Sequence, residues 1–328
     1  MRQFLNIAFR TALIGLLVAG SLDAGAQPAQ APYPSRPIKI LVGVPPGGST
    51  DAVTRLFADW LRESWGQPTV VENKPGANTA VAADAVKRAA ADGYTILLGT
   101  NAHITIPLLA KLSYDPIKDF IPVGTVGVSR YVLSVHPSIP VNTLQEFIAY
   151  AKARPGQLNY GSSGNGGGSH INGELFNRLA GVQIQHIPYK GAGPALTDTL
   201  GGQVQVSYNT PLAVASYINA GRLKPLAVTG PKRTLLLPQV PTFAEAGLPA
   251  FQEKAWYGVF VAAGTPKPIV DKLAAELTKM LSSPAFRDKL EKQSIEPLLS
   301  TPEQFTAMMR TETAELSKLI KAANIKID

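Results

Sequence analysis

Cysteine is absent from the 328 residues, which removes disulfides, thiol catalysis and thiolate metal sites. Histidine is scarce: His103, His136, His170 and His186 are the whole set, and no two stand at the His-x-x-x-His spacing of a metal pair. Zinc and redox chemistry are therefore not expected, and no metal or cofactor is called for. Aromatic residues reach only 7%, and lysine and arginine form no dense basic run, so a nucleic-acid-binding stripe is not expected either. No uncharged apolar stretch approaches the ~20 residues of a membrane span.

What is present is enough apolar sequence for a large core. With 45% hydrophobic and 16% charged residues, the chain can fill two ordinary cores, which excludes disorder and single small modules. The first residues read as an export signal: Arg2 and Arg10, an apolar run from Ala12 to Gly20, then small residues ending Ala24-Gly25-Ala26. Cleavage is expected after Ala26, so that 1–26 is the signal peptide. Its removal takes Arg2, Arg10 and Asp23, leaving 29 basic against 22 acidic residues and a formal charge of +7. A field of that sign modestly favours encounter with anionic solutes and equally serves solubility. With no cysteine after the signal there is no lipid attachment point, and a free periplasmic protein is expected.

Beyond a Gln/Pro/Ala linker to Pro34, β-type runs alternate with amphipathic stretches. Strands are predicted at Ile38–Val44, Thr69–Val71, Tyr94–Leu98, Tyr131–Val135, Gln183–His186, Val204–Tyr208, Leu226–Thr229 and Tyr257–Ala262. Helices are predicted at Asp51–Trp65, Thr79–Ala91, Thr143–Ala153, Ser169–Leu179, Pro194–Leu200, Pro268–Leu281 and Pro302–Ala323. This alternation predicts an α/β protein with largely parallel sheets covered on both faces, divided into two domains. With no strand predicted after Ala262, the last two helices are expected to return to the earlier domain.

Three loops follow one rule: strand, glycine-rich turn, helix start. In Val44-Pro-Pro-Gly-Gly-Ser-Thr-Asp51 the glycines let backbone approach a ligand, while Ser49, Thr50 or Asp51 can cap the helix. A helix start of this kind suits a carboxylate or phosphate; an ordinary capped βα turn has the same sequence. In Gly161–Gly168 five of eight residues are glycine, a large ordering cost for a mere connector. That stretch is no dinucleotide fingerprint, P-loop or nucleophile elbow, because Ser169, the missing Gly-Lys-Ser/Thr and Asn165 break the respective patterns. His170 near Ser162, Ser163 and Ser169 is expected to donate to a ligand or to backbone rather than to form a hydrolytic pair. His136 and His186, each ending a β-like run beside proline, are expected to be structural. The third loop, Ile187-Pro-Tyr-Lys-Gly-Ala-Gly-Pro-Ala195, places Pro194 at the first helical position. Its Lys190 can attract an anion and Tyr189 can wall or hydrogen-bond a ligand. Asn101 and His103 follow a strand's C-terminal end, where open α/β sheets hold their ligands.

Taken together, several motifs resemble one family. These are Tyr33-Pro-Ser-Arg-Pro-Ile-Lys-Ile, Pro-Pro-Gly-Gly-x-x-Asp51, Tyr114-Asp-Pro-x-Lys-Asp-Phe120, Asn159-Tyr-Gly-Ser-Ser-Gly, Pro188-Tyr-Lys-Gly191, Leu237-Pro-x-Val-Pro-Thr-Phe-x-Glu-Ala-Gly247 and Trp256-Tyr-Gly258. In this order, and over essentially the whole chain after the signal, they resemble the Bug family of TctC-like periplasmic receptors of tripartite tricarboxylate transporters. The resemblance implies a two-domain periplasmic-binding-protein (Venus flytrap) fold with a ligand cleft between the domains. It implies domain 1 at 33–127 plus 256–328, domain 2 at 128–255, and crossings near Gly127–Arg130 and Glu253–Trp256. It further implies a small carboxylate as ligand: a di- or tricarboxylate, an acidic amino acid or an aromatic acid.

Carried onto this chain, the first loop supplies Gly47, Gly48, Ser49, Thr50 and Asp51, and the second Ser162, Ser163, Asn165, Gly166 and His170. Asn78, Asn101, His103 and Asn209 are expected to face the same cleft. Around Gln203-Val-Gln-Val the family usually has Gly-Gln-Val-Asp, so Gln205 stands for an acidic group and is expected to alter the second domain's cleft or hinge. No arginine marks a bidentate carboxylate site in these loops. The expected partners are the ligand and the transporter's membrane subunits, with no nucleic acid, and the protein is expected to be a monomer without enzymatic activity. A sensor protein feeding a two-component system shares every one of these features. A secreted serine hydrolase built on Ser162 or Ser163 with His170 lacks an elbow and an orienting carboxylate.

Overall fold

The computed structural model describes residues 32–322 and 325; the predicted cleavage after Ala26 and the predicted helix end at Ala323 lie outside the described residues. The strands are β1 (Ile38–Val42), β2 (Thr69–Asn73), β3 (Thr95–Gly99), β4 (Phe120–Ser129), β5 (Val132–Val135), β6 (Leu158–Ser162), β7 (Ile184–Pro188), β8 (Val206–Asn209), β9 (Lys224–Val228), β10 (Ala255–Ala262) and β11 (Ile295–Pro297). The helices are α1 (Ser49–Trp65), α2 (Ala80–Lys87), α3 (Ala102–Leu109), α4 (Leu144–Lys152), α5 (Gly168–Ala180), α6 (Ala192–Leu200), α7 (Pro211–Asn219), α8 (Lys267–Ser282), α9 (Pro284–Glu291) and α10 (Pro302–Ala322).

The strands form two sheets, ordered β11-β4-β10-β3-β1-β2 and β7-β6-β8-β5-β9. Each is mixed, which corrects the expectation of largely parallel sheets. β10 runs antiparallel to β3 and β4, and β5 runs antiparallel to β8 and β9. The physical reason is the exchange of chain between sheets: β4 ends in the first, β5 opens the second, and β10 brings the chain back. Each such passage enters its new sheet without a helical crossover, and right-handed helical crossovers are what make neighbours parallel.

Both sheets are covered on both faces. On one face of the first, Val53, Phe57 and Leu61 of α1 meet Leu273, Leu277 and Met280 of α8 and Leu290 of α9. On the other, Ala83 and Val86 of α2 and Ile104 of α3 join Phe305 and Met309 of α10. In the second sheet the two-residue period decides sides: Leu133 and Val135 point to Phe147 of α4 and Phe176 of α5, while Val132 points to Val214 and Ile218 of α7.

β4 was not predicted although it is the longest strand, because Pro122, Gly124 and Gly127 break its apolar pattern. These glycines are required by packing. A Cβ at Gly124 would lie 2.8 Å from the Ser300 carbonyl oxygen, and one at Gly127 would lie 2.8 Å from that of Glu296. β11, also absent from the prediction, therefore lies directly on the strand. α3 and α7 escaped for the opposite reason: they are apolar nearly all round, and α3 carries Pro107 inside, so no polar face marks them as helices. α6 begins at Ala192 rather than Pro194; proline at its third residue still lacks only an amide that the first turn leaves unbonded.

Candidate functional site

The segments that follow β1 and β2 in the first sheet, and β6, β7 and β8 in the second, carry residues singled out by sequence. They meet. Ser49 Oγ and Thr210 Oγ1 are hydrogen-bonded at 2.7 Å, Asn78 Nδ2 donates to the Asn165 carbonyl at 2.8 Å, and a Cβ at Gly191 would touch Pro45 at 3.8 Å. Each pair joins an element of one sheet to an element of the other.

On the first-sheet side, Gly48 caps α1 with its backbone, and Gly47 precedes it at φ +96°. Asp51 does not cap by the usual N-cap route. From the first turn of α1 it accepts the Gly47 amide (3.0 Å) and Asn73 Nδ2 (2.9 Å) and pairs with Arg55 (2.9 Å). Burial works to raise its pKa, but those hydrogen bonds and the guanidinium outweigh it and hold the carboxyl below the usual range. Asp51 thus braces the turn with every acceptor engaged, while Gly47 and Gly48 are exposed. Ser49 is buried. Thr50 is half-buried at the first turn, where its carbonyl accepts from Thr54.

Asn78 belongs to a strained turn: Ala77, Asn78 and Thr79 have φ of +42°, +49° and +82°, a run that costs roughly 1–2 kcal/mol per residue for side chains with a Cβ. The turn is pinned because Thr79 packs on Gly43, where a Cβ would come within 2.5 Å of it. The strain aims Asn78 across to the second sheet.

On that side, Ser162 to Gly168 forms a loop folded on itself. Ser169 Oγ accepts the Ser163 amide (2.9 Å), and His170 Nδ1 accepts the Gly166 amide (2.9 Å). His170 therefore holds the loop from within, 4% exposed, and its ring stacks on His186 at 3.9 Å and 8°. His186 Nε2 in turn bonds to Ser162 Oγ at 2.5 Å. Burial lowers the pKa of His170 to about 4 and of His186, which also feels His170, to about 3, so both rings are neutral near pH 7. The serine–histidine pair is thus Ser162 with His186, not His170. Among the described residues no carboxylate orients His186, and Glu174 accepts from Tyr160 instead (2.7 Å).

Other predicted residues take different places. His103 is 1% exposed inside an aromatic cluster with Tyr114, Phe120 and Phe260, its Nε2 against the Pro116 carbonyl. It is a core histidine that burial keeps neutral, with a pKa near 4. It points inward because α3 presents His103 and Ile104 to the sheet. Asn101 accepts the Trp256 amide (3.0 Å) and reaches Glu312 (3.4 Å), tying β10 to α10. Tyr189 donates to Asp198 (2.7 Å), Lys190 is exposed, and Asn209 ends β8 beside Thr210. Gln205 lies before the start of β8, accepting the Asn159 amide. That is the end of the sheet opposite the loops, so its exchange for an acid does not reach them. Thr210 and Tyr131 had no motif to announce them, and Tyr257 stood in the Trp256-Tyr-Gly258 motif without being singled out as a site residue. Tyr131 lies where the chain changes sheets, and a Cβ at Gly168 would collide with its hydroxyl.

A cavity of about 530 Å³ opens elsewhere, bounded by α3, α5, α10 and the 250–254 segment. Of the predicted residues Asn101 alone lines it. Among the described residues no cluster of three or more metal-ligating side chains is found, and no helix is long and apolar enough to cross a membrane.

The description "Tripartite tricarboxylate transporter family receptor" matches residues 53–325. Protein BugT of Bordetella pertussis is 35% identical over 98% of this chain and all of its own. Among solved structures, Rhodopseudomonas palustris MatC with bound malate is 32% identical with a TM-score of 0.80, covering 88% of this chain and 100% of that one. R. palustris Rpa4515 with adipate is 36% identical with a TM-score of 0.85, over 90% of this chain and 99% of that one.

Proposed function

This chain belongs to the tripartite tricarboxylate transporter receptor family, and on that premise we propose that it is an exported periplasmic protein that captures a small dicarboxylate and hands it to the membrane subunits of such a transporter. The meeting of the two glycine-rich loops carries the reading: Ser49 with Thr210, and Asn78 with Asn165. Adipate and malate in two relatives support a ligand with two carboxylates. The halves that close on it are 33–127 with 256–328, and 128–255. The strands support a division within two residues of these bounds: β4 stays in the first sheet to Ser129, β5 starts the second at Val132, and β10 re-enters the first at Ala255.

Recognition falls to backbone amides and hydroxyls. α1 and α5 are 17 and 13 residues long, and the amides of their first turns attract an anion. Exposed Gly47 and Gly48 and half-buried Ser163 and Asn165 are the surfaces it meets, while Asp51, Ser162 and His170 hold those surfaces in shape. A carboxylate head fixed this way leaves the ligand's far end to be read by the remaining walls.

Calorimetric titration with adipate, malate and a panel of other organic acids, paired with X-ray scattering, tests the proposal: saturable one-to-one binding with contraction of the particle is expected. A silent panel, or steady consumption of the acid on incubation, overturns it. Gly48→Ala isolates the first loop. Its φ is −88° and an added Cβ would meet nothing within 4 Å among the described residues, so the fold is expected to be unaffected. Affinity is expected to fall about tenfold, or ~1.4 kcal/mol; unchanged affinity removes Gly48 from the site.

A further inference from the structure

The cavity between α5, α10 and the 250–254 segment has a composition unlike the loops. Its apolar lining includes Ile171 and Leu175 of α5 and Met308 and Leu319 of α10; its charged lining is Glu253, Glu312 and Glu315 with Lys254. At about 530 Å³ it is large enough for a small organic molecule. Glu312 is engaged, accepting the Trp256 indole N–H at 2.5 Å. Glu253 is not: no residue described hydrogen-bonds its carboxylate. The group is half-buried, and it lines the cavity. A carboxylate held this way is costly unless a cation joins it.

We propose that this cavity is a ligand site for an organic ammonium ion with a short apolar body, with Glu253 as its counter-ion. A carboxylate would meet three acids against one lysine, and a neutral apolar molecule would leave Glu253 unpaired. A bare metal ion would leave the apolar wall unused, and the described residues hold no metal-ligating cluster. The ammonium nitrogen takes Glu253 while the apolar body lies against Leu175 and Met308. Because α5 covers the second sheet and α10 the first, an occupant touches both halves and favours the arrangement that brings them together. That coupling rests on the receptor reading above; occupancy itself does not.

The charged and titratable groups facing Glu253 are Glu312 and Glu315 on α10, Lys254 beside it and Tyr131 at the crossover. Burial, then Glu312, raise the Glu253 pKa to about 7, so the counter-ion forms as pH rises through neutrality.

The mature protein titrated with benzylammonium chloride tests this, with benzyl alcohol as the neutral isostere. Saturable one-to-one binding of the ammonium and not of the alcohol is expected at pH 8, weakening about tenfold at pH 6 as Glu253 takes up its proton. Glu253→Gln should weaken it at least as much at pH 8 and erase the pH dependence, with adipate titration unchanged. Met308→Trp fills the apolar side and should abolish ammonium binding, which keeps the test decisive if the glutamine variant fails to fold. No saturable signal up to about 10 mM, equal binding of the alcohol, or undiminished binding in Glu253→Gln or Met308→Trp overturns the site. Adipate silence alongside ammonium binding would sink the carboxylate reading and leave this one standing.

Discussion

Gly166→Val is expected to weaken dicarboxylate capture about a hundredfold, ~2.7 kcal/mol, while costing the unliganded protein only about 1–2 kcal/mol of stability. Two separate effects meet at this residue. Its φ is +76°, which penalises any L side chain in every state of the protein. A Cβ there would also lie 2.6 Å from Ile106 Cδ1 and 2.8 Å from Leu109 Cδ1, and both belong to α3 of the other half. On the hinge closure proposed above, the clash is felt only when the halves are together, so it is expected to act on capture more than on folding. Those methyls are the ends of flexible side chains, which makes alanine tolerable and valine a wedge; Gly166→Ala should lose about tenfold. Gly221→Ala is the control for backbone strain alone, because φ is +70° there, nothing lies within 4 Å of the added carbon among the described residues, and the residue stands outside the site loops. Titration and scattering on the three variants check the series. Equal losses in Gly221→Ala and Gly166→Val would attribute the effect to backbone strain and remove the wedge.

The same residue shows what the sequence discloses and what it withholds. A run of glycines in Gly161–Gly168 announces that something must approach the backbone, but not what. Gly166 faces α3, while at Gly173, where no motif stands, a Cβ would lie 2.3 Å from the Tyr160 ring. Elements with a contrast between faces were legible: α1 was found from its stripe, and β1, β3 and β10 from their apolar runs. β4 was hidden by glycines that exist to admit another segment, and α3 by having no polar side. Sheet direction was illegible for a related reason, since nothing local in β10 says that its neighbours run the other way.

Among the site residues, polar type and loop position were visible, but direction was not. His103 and His170 both open helices after strands. One enters an aromatic core and the other turns back to hold Gly166. Asn78 is the converse: nothing in Ala77-Asn78-Thr79 advertises three left-handed residues, which persist because Thr79 is wedged on Gly43. Partners from distant elements, such as Thr210 for Ser49, are set by how the halves meet and leave no trace at either position.

A second large effect is expected at Glu253, where Gln should make the protein more stable than the parent at pH 8 by about 2–3 kcal/mol and by under ~1 kcal/mol at pH 5. The sign follows from the proton. Burial, followed by repulsion from Glu312, raises the folded-state pKa from 4.5 to about 7 against the pull of Lys254. Between those values the folded chain holds a proton that the unfolded chain has released, so this group favours folding most below pH 4.5 and progressively less as pH rises to 7. Above 7 the folded protein carries a partly buried carboxylate with no hydrogen-bond partner among the described residues, and the full difference is felt. Glutamine is neutral at every pH and removes the dependence. Parallel thermal melts of the two proteins from pH 5 to pH 8 measure it, with a separation of several degrees expected at the alkaline end. Curves that stay together across that range would place Glu253 in contact with water and make it an ordinary surface acid. An added ammonium ligand should close the gap at pH 8 by stabilising the parent alone, because it supplies the hydrogen-bonded cationic partner that Glu253 lacks.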